Sequence, residues 1–136
     1  MQNVLLVEDD RGSLLNMELA AKGARGGSRR ILTAANRESA IRVIAEENVD
    51  VVVTDLALHS LSDTDGFDVL RAARAKDPDV PVIVVSNFIT AEKSEQAFDL
   101  DAFDIIDRGH SLPDPQVALQ REIGKALRLR ALLRSQ

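Results

Sequence analysis

Five short runs of Val, Leu and Ile recur along this chain, and each gives way to a stretch with helical spacing. No other feature restricts the fold so much. The runs lie at residues 3–7, 31–34, 49–54, 82–85 and 103–106, and the helical stretches at 11–24, 38–47, 67–76, 91–100 and 115–134. VLLV and VVV are apolar at every position rather than at alternate ones, so those strands are buried on both faces. Such strands need cover above and below. Strand–helix alternation supplies it as a parallel sheet between two helical layers. Right-handed crossovers leave few topologies. The expected one is a flavodoxin-like (βα)5 three-layer sandwich of the α/β class, with strand order 2-1-3-4-5. At 136 residues the whole chain, 1–136, reads as a single domain.

Local signals agree with these bounds. Asp10 stands where an N-cap is needed before the first helix. Gly23, Gly26 and Gly27 break that helix, Asp77-Pro78 stops the third, and Thr90 caps the fourth without a full capping box.

Composition narrows the function. There is no cysteine, hence no disulfide framework and no thiolate metal site or nucleophile. A net charge of −5, with four Phe and no Trp or Tyr, argues against nucleic acid as a partner. No apolar run reaches transmembrane length and no leader precedes the first strand, so a cytoplasmic protein without a membrane partner is expected. The two histidines, His59 and His110, fall in loops and give poor support to a histidine-based site. Asp63, Asp65 and Asp68 resemble a calcium loop only superficially, because Gly66 is at the wrong offset. The glycines of GARGG are not a dinucleotide fingerprint.

In a sheet of this order, ligands bind at the carboxyl ends of the strands, at the switch point between strands 1 and 3. Glu8, Asp9 and Asp10 follow VLLV there, and Asp55 ends VVVTD. Two carboxylates about 4 Å apart repel by roughly 4 kcal/mol at an effective dielectric of about 20. A cation, partial protonation or exposure to water must offset that. Hard oxygen ligands of this kind suit Mg²⁺. Ser86 ends VIVVS and Arg108 follows DIID, so a hydroxyl donor and a cation join the same crevice, as a phosphoryl oxygen requires. The blander alternative is a solvated strand end with a capping Asp10, and a Ser86 that merely caps the next helix.

Taken in order, VLLVEDD, VVVTDL, DGFDVL, PVIVVSN and FDIIDR resemble the response-regulator receiver domain of two-component signalling, over about residues 2–125. The resemblance implies that Asp55 is the phosphoacceptor, that Asp9 binds Mg²⁺ directly and Glu8 through water, and that the Ala57 backbone carbonyl is a further ligand. It implies that Ser86 bonds a phosphoryl oxygen and that Arg108 stands for the family's lysine. A one-residue shift would put Asp107 there instead and remove the cation. The expected phosphodonor is a sensor histidine kinase or a phosphotransfer protein, and the output is a conformational change read by a protein target. Such a domain is no conventional enzyme. The chain also departs from the family pattern. Gly109 replaces a proline, and Ile105 falls at the usual aromatic position of strand five. The loop between Asp55 and Gly66 is longer and lacks a proline. Asn87 follows Ser86, with Phe88 placed to shield a phosphoryl group.

Within the last helix, Leu119, Ile123, Ala126 and Leu127 are spaced to pack on the sheet. Arg121, Lys125, Arg128, Arg130 and Arg134 form a basic face, read as solvated, or as part of an extension, with Leu129, Leu132 and Leu133, that makes a dimer or docks a partner. The expected protein is a stand-alone receiver. Two rival readings remain: a phosphorylation-independent pseudo-receiver serving as an interaction module, and a haloacid-dehalogenase-type phosphatase. The second requires an acid where Ala57 stands.

Overall fold

The computed structural model describes residues 1–58, 65–87, 89–109 and 114–135. His59, Asp63, Phe88, His110 and most of the loop between Asp55 and Gly66 lie outside the described residues, so the expectations placed on them stay there.

The chain alternates as β1 (Gln2–Val7), α1 (Arg11–Gly23), β2 (Arg29–Ala34), α2 (Arg37–Glu46), β3 (Val51–Asp55), α3 (Asp65–Lys76), β4 (Val82–Ser86), α4 (Ala91–Asp99), β5 (Asp104–Asp107) and α5 (Pro115–Arg134). The strands form one sheet in the order β2-β1-β3-β4-β5, and every pairing is parallel. This is the expected doubly wound order.

Side chains along the central strands alternate between two cores, as strands covered on both faces must. Leu5, Val7, Val52, Val82 and Val84 join Phe67, Val69 and Leu70 under the α2–α3–α4 layer. Val4, Leu6, Val51, Val53, Ile83 and Val85 join Met17, Ala20 and Ala21 of α1, and Leu119, Ile123, Ala126 and Leu127 of α5. The four α5 positions are those the sequence spacing indicates. In α1 the buried stripe is Met17, Ala20 and Ala21, whereas Leu15 and Leu19 are half exposed. Small residues let α1 lie close against α5, and the larger leucines face outward.

β3 begins at Val51, two residues later than the run of valines suggests. Asp50 accounts for the difference. Its backbone N–H donates to the Asn3 carbonyl, while its carboxylate accepts the Asn3 N–H at 2.8 Å. A side chain thus replaces the ladder acceptor. Asp10 caps α1 by accepting from the Ser13 N–H at 2.8 Å, and Thr90 caps α4 by accepting from Lys93.

One reading of α5 needs correction. Arg130 does not belong to a solvated basic face: it is 5 % exposed and paired with Asp50 and Asp77, and Arg134 reaches Asp50 at 2.8 Å. Asp50 is itself 1 % exposed. A carboxylate buried that deeply requires a partner, and its partner lies eighty residues away, beyond the reach of any sequence window.

Candidate functional site

The carboxyl ends of β1, β3, β4 and β5 open on a cavity of about 450 Å³, lined by Glu8, Asp9, Asp10, Asp55, Ala57, Ser86, Asn87, Lys93 and Arg108, among others. Every site residue expected from sequence borders this space. Their placements differ in depth. Glu8 is 2 % exposed, Asp55 6 % and Ser86 8 %, whereas Asp9 and Ala57 are exposed at the rim.

Strand register sets the arrangement. Thr54 pairs with Val7, and Asp55 with Val85. The acids that end β1 and β3 therefore emerge on adjacent strands at one level, with Ser86 one residue beyond on the next strand. Behind Asp55, α3 begins in direct backbone contact. The Gly66 N–H donates to the Leu56 carbonyl, and a Cβ at Gly66 would lie 2.3 Å from the Asp55 carbonyl oxygen. Only glycine fits there.

The Asp55 carboxylate is held at both oxygens. Oδ1 accepts from the Ala57 N–H at 3.1 Å, and Oδ2 accepts from Arg108 Nη2 at 2.8 Å. The other terminal nitrogen of Arg108 stands 3.5 Å from Glu8 Oε2. Arg108, and not Asp107, is thus the cation of the site. Its own backbone N–H donates to the Ser86 carbonyl at 2.7 Å, locking the β5 exit to the end of β4. Asp107 turns away and accepts from the Ile89 and Gly109 amides.

Glu8 is the strained member. Its Oε1 accepts from the Asp10 N–H, but its Oε2 has no hydrogen-bond partner. Burial, and next the adjoining Asp55 carboxylate, push its carboxyl up to about 8. Exposure to water is therefore not how Glu8 escapes repulsion. Arg108 and retention of a proton are.

The donor set suits a hard divalent cation. Its side chains are oxygen donors, and a buried carboxylate oxygen without a hydrogen bond faces the cavity wall. The acids are not gathered in advance, since among the described residues no group of three or more His, Cys, Asp or Glu side chains is close enough to hold a metal. A cation bound here would have to share Glu8 and Asp55 with Arg108.

Sequence reasoning assigned no role in the site to Lys93 or Asp107. Lys93 reaches the cavity from the first turn of α4, which its place three residues after the Thr90 cap foreshadows. Nothing in the linear sequence distinguishes Asp107 from a plain strand end.

Comparison with known proteins agrees with the fold. The family model for the response regulator receiver domain matches residues 4–114. An NtrX-like response regulator of Rickettsia typhi is 32% identical over 104 residues, which are 76% of this chain and 21% of that protein. The transcriptional regulatory protein PrrA of Mycobacterium tuberculosis is 37% identical over 83 residues, 61% of this chain and 33% of that one. The chain thus spans a fifth to a third of the length of these curated relatives. Among solved structures, a response regulator receiver domain protein of Clostridium thermocellum superposes with a TM-score of 0.78 at 23% identity, covering 98% of this chain and 99% of that one. The non-phosphorylated HemR receiver domain of Leptospira biflexa superposes with a TM-score of 0.70 at 26% identity, covering 90% and 94%.

Proposed function

Since the chain belongs to the response regulator receiver domain family, we propose that Asp55 accepts a phosphoryl group from a phosphohistidine on a sensor kinase or phosphotransfer protein. The observation that carries this reading is the Arg108–Asp55 contact at 2.8 Å, in the wall of a cavity that Glu8 and Ser86 also line.

The chemistry follows from what each group can do. Ala57 and Arg108 fix the rotation of the Asp55 carboxylate, and a carboxylate oxygen with a lone pair beyond its one hydrogen bond is the nucleophile. That oxygen attacks phosphorus in line. The P–N bond of the donor breaks as the P–O bond forms, and the imidazole leaves with the bonding pair. The product is an acyl phosphate. Arg108 stays beside the equatorial oxygens, and the Ser86 hydroxyl donates to one of them. Glu8, Asp9, Asp55 and the Ala57 carbonyl would hold Mg²⁺, whose bound charge offsets that of the transferring group. Water later cleaves the acyl phosphate. The new charge at Asp55 biases a two-state equilibrium that a downstream protein reads.

Receiver domains are signalling domains, and a cytoplasmic location suits a phosphodonor of this kind. Among the described residues no helix is long and apolar enough to cross a membrane. Leu129, Leu132 and Leu133 are exposed on the last turns of α5 and offer the surface on which a second copy would pair. A Leu132→Glu variant with the same solution mass as the wild type would rule out that pairing. Truncating α5 is a poor test, because it strands Asp50.

The second reading, a phosphorylation-independent interaction module, draws on a specific feature: the Arg108 guanidinium pairs with both Asp55 and Glu8. One experiment separates the two. The protein and its Asp55→Asn variant are incubated with Mg²⁺ and acetyl phosphate, and their intact masses recorded. A phosphoryl adduct on the wild type alone supports the acceptor reading. No adduct from acetyl phosphate or from a phosphohistidine donor, on folded protein, leaves the interaction module.

A further inference from the structure

We propose that Asp107 is a positioning residue for this site, acting through the two loops it joins rather than by touching the phosphoryl group. The inference rests on the reading of Asp55 as the acceptor. β4 and β5 pair up to Ser86 and Asp107, and beyond that level the ladder stops. The loops that leave the two strands carry Ser86 and Arg108, the two donors expected around the phosphoryl oxygens. One backbone bond crosses between them at this level, from the Arg108 N–H to the Ser86 carbonyl. The carboxylate of Asp107 adds the next ties. Its Oδ2 accepts from the Ile89 N–H at 3.3 Å, in the loop after Ser86, and its Oδ1 accepts from the Gly109 N–H at 2.9 Å, just after Arg108.

One side chain thus grips both loops, just beyond the residues that must converge on Asp55. The pattern demands a carboxylate. Each oxygen meets an N–H donor, and only an ionised Asp or Glu is acceptor-only at both positions. Asn supplies one acceptor and sets its own NH₂ against the second amide. Glu carries the carboxylate one methylene too far from a strand end that is already in register. The strength of such ties exceeds that of neutral ones, because the acceptor is charged.

The test uses the whole protein as wild type, Asp107→Asn and Asp107→Ala. Thermal melts come first, to show that each variant folds. Phosphoryl adduct formation is then followed by intact mass against acetyl phosphate concentration in Mg²⁺. In parallel, two-dimensional NMR without donor reports the Ile89, Gly109 and Ser86 amides and the Arg108 side-chain N–H. The expected result is a fall in the rate at saturating donor, roughly 10-fold for Asn and up to roughly 100-fold for Ala, the scale of about 1 Å of misplacement. Half-saturation should change little, and the Arg108 and Ser86 resonances should move in both variants. A saturating rate within twofold of wild type in Asp107→Ala, on folded protein, overturns the inference and leaves the acceptor reading intact. If the wild type forms no adduct from acetyl phosphate or from a phosphohistidine donor, the acceptor reading fails, and NMR alone decides. Arg108 and Ser86 resonances unchanged in Asp107→Ala then overturn the positioning role. Shifted ones uphold it for a site that holds its geometry without transferring phosphate.

Discussion

Replacing Gly66 by alanine tests whether the approach of α3 to Asp55 is as tight as it looks. The added methyl carbon would sit 2.3 Å from the Asp55 carbonyl oxygen, 2.7 Å from Leu56 Cα and 3.0 Å from the Asp55 carbonyl carbon. Ordinary contact starts near 3.4 Å, so the two segments must separate by about 1 Å. All three atoms are backbone, and none can move aside by changing rotamer. Overpacking of this kind costs about 1–3 kcal/mol, and the upper end applies where backbone must shift. For a chain of this length that lowers the melting midpoint by roughly 3–5 °C per kcal/mol. The displacement falls on Asp55 itself, so adduct formation should drop by about 100-fold. Gly27→Ala is the control: a Cβ there meets nothing within 4 Å, and the variant should melt at or slightly above the wild type. Calorimetry and mass-detected phosphorylation on the three proteins settle the matter. Gly66→Ala that melts within 1 °C or so of Gly27→Ala and reacts at the wild-type rate would refute the reasoning.

Three further outcomes are expected. Arg130→Met removes one of two arginines from a buried Asp50 and should cost about 2–4 kcal/mol in urea denaturation, less than a fully stranded charge because Arg134 and the Asn3 amide remain; adding Asp50→Asn should recover part of the loss. Arg108→Ala leaves Glu8 and Asp55 without their shared cation, so Mg²⁺ should raise its melting midpoint by more than it raises that of the wild type, while Arg108→Lys falls between. The Glu8 carboxyl is raised by burial from 4.5 to about 8, so the folded state keeps a proton that the unfolded chain loses. Stability therefore declines as pH rises from about 5 to about 8 and levels off beyond, and Glu8→Gln should flatten that decline when the two proteins are unfolded in urea at pH 6 and pH 8.5.

The sheet was legible because its signal is local. Unbroken Val and Leu runs specify strands buried on both faces, and alternation with helices leaves few topologies. The acids at the ends of β1 and β3 were legible for a related reason, since strand order alone places them side by side. What stayed hidden depends on contacts distant in sequence. Arg130 looks like any surface arginine on a basic helix, and nothing near it in the chain announces Asp50. Glu8 and Asp9 are equivalent acids in the sequence, yet only Glu8 is buried. Leu15 and Leu19 outweigh Met17 and Ala20 in hydrophobicity, yet the face of α1 that meets the sheet and α5 carries Met17, Ala20 and Ala21. Asp107 illustrates the same limit, because its partners are two backbone amides that carry no residue identity.

The place of α5 in the chain gives the order of synthesis a consequence of its own. By the time Ser86 has been added, four of the five strands exist, and the α2–α3 side of the sheet can be covered in part. The opposite side, with Val4, Leu6, Val51, Val53, Ile83 and Val85, has only α1 to cover it until Leu119 to Leu127 arrive. Asp50 waits longer still, for Arg130 and Arg134. At about 5–20 residues per second that interval lasts a few seconds. Throughout it the nascent sheet presents a partly covered apolar surface with a carboxylate that lacks its arginines at its margin, a state open to chaperone capture. The last turns of α5 thus complete both the second core and the charge pairing of Asp50.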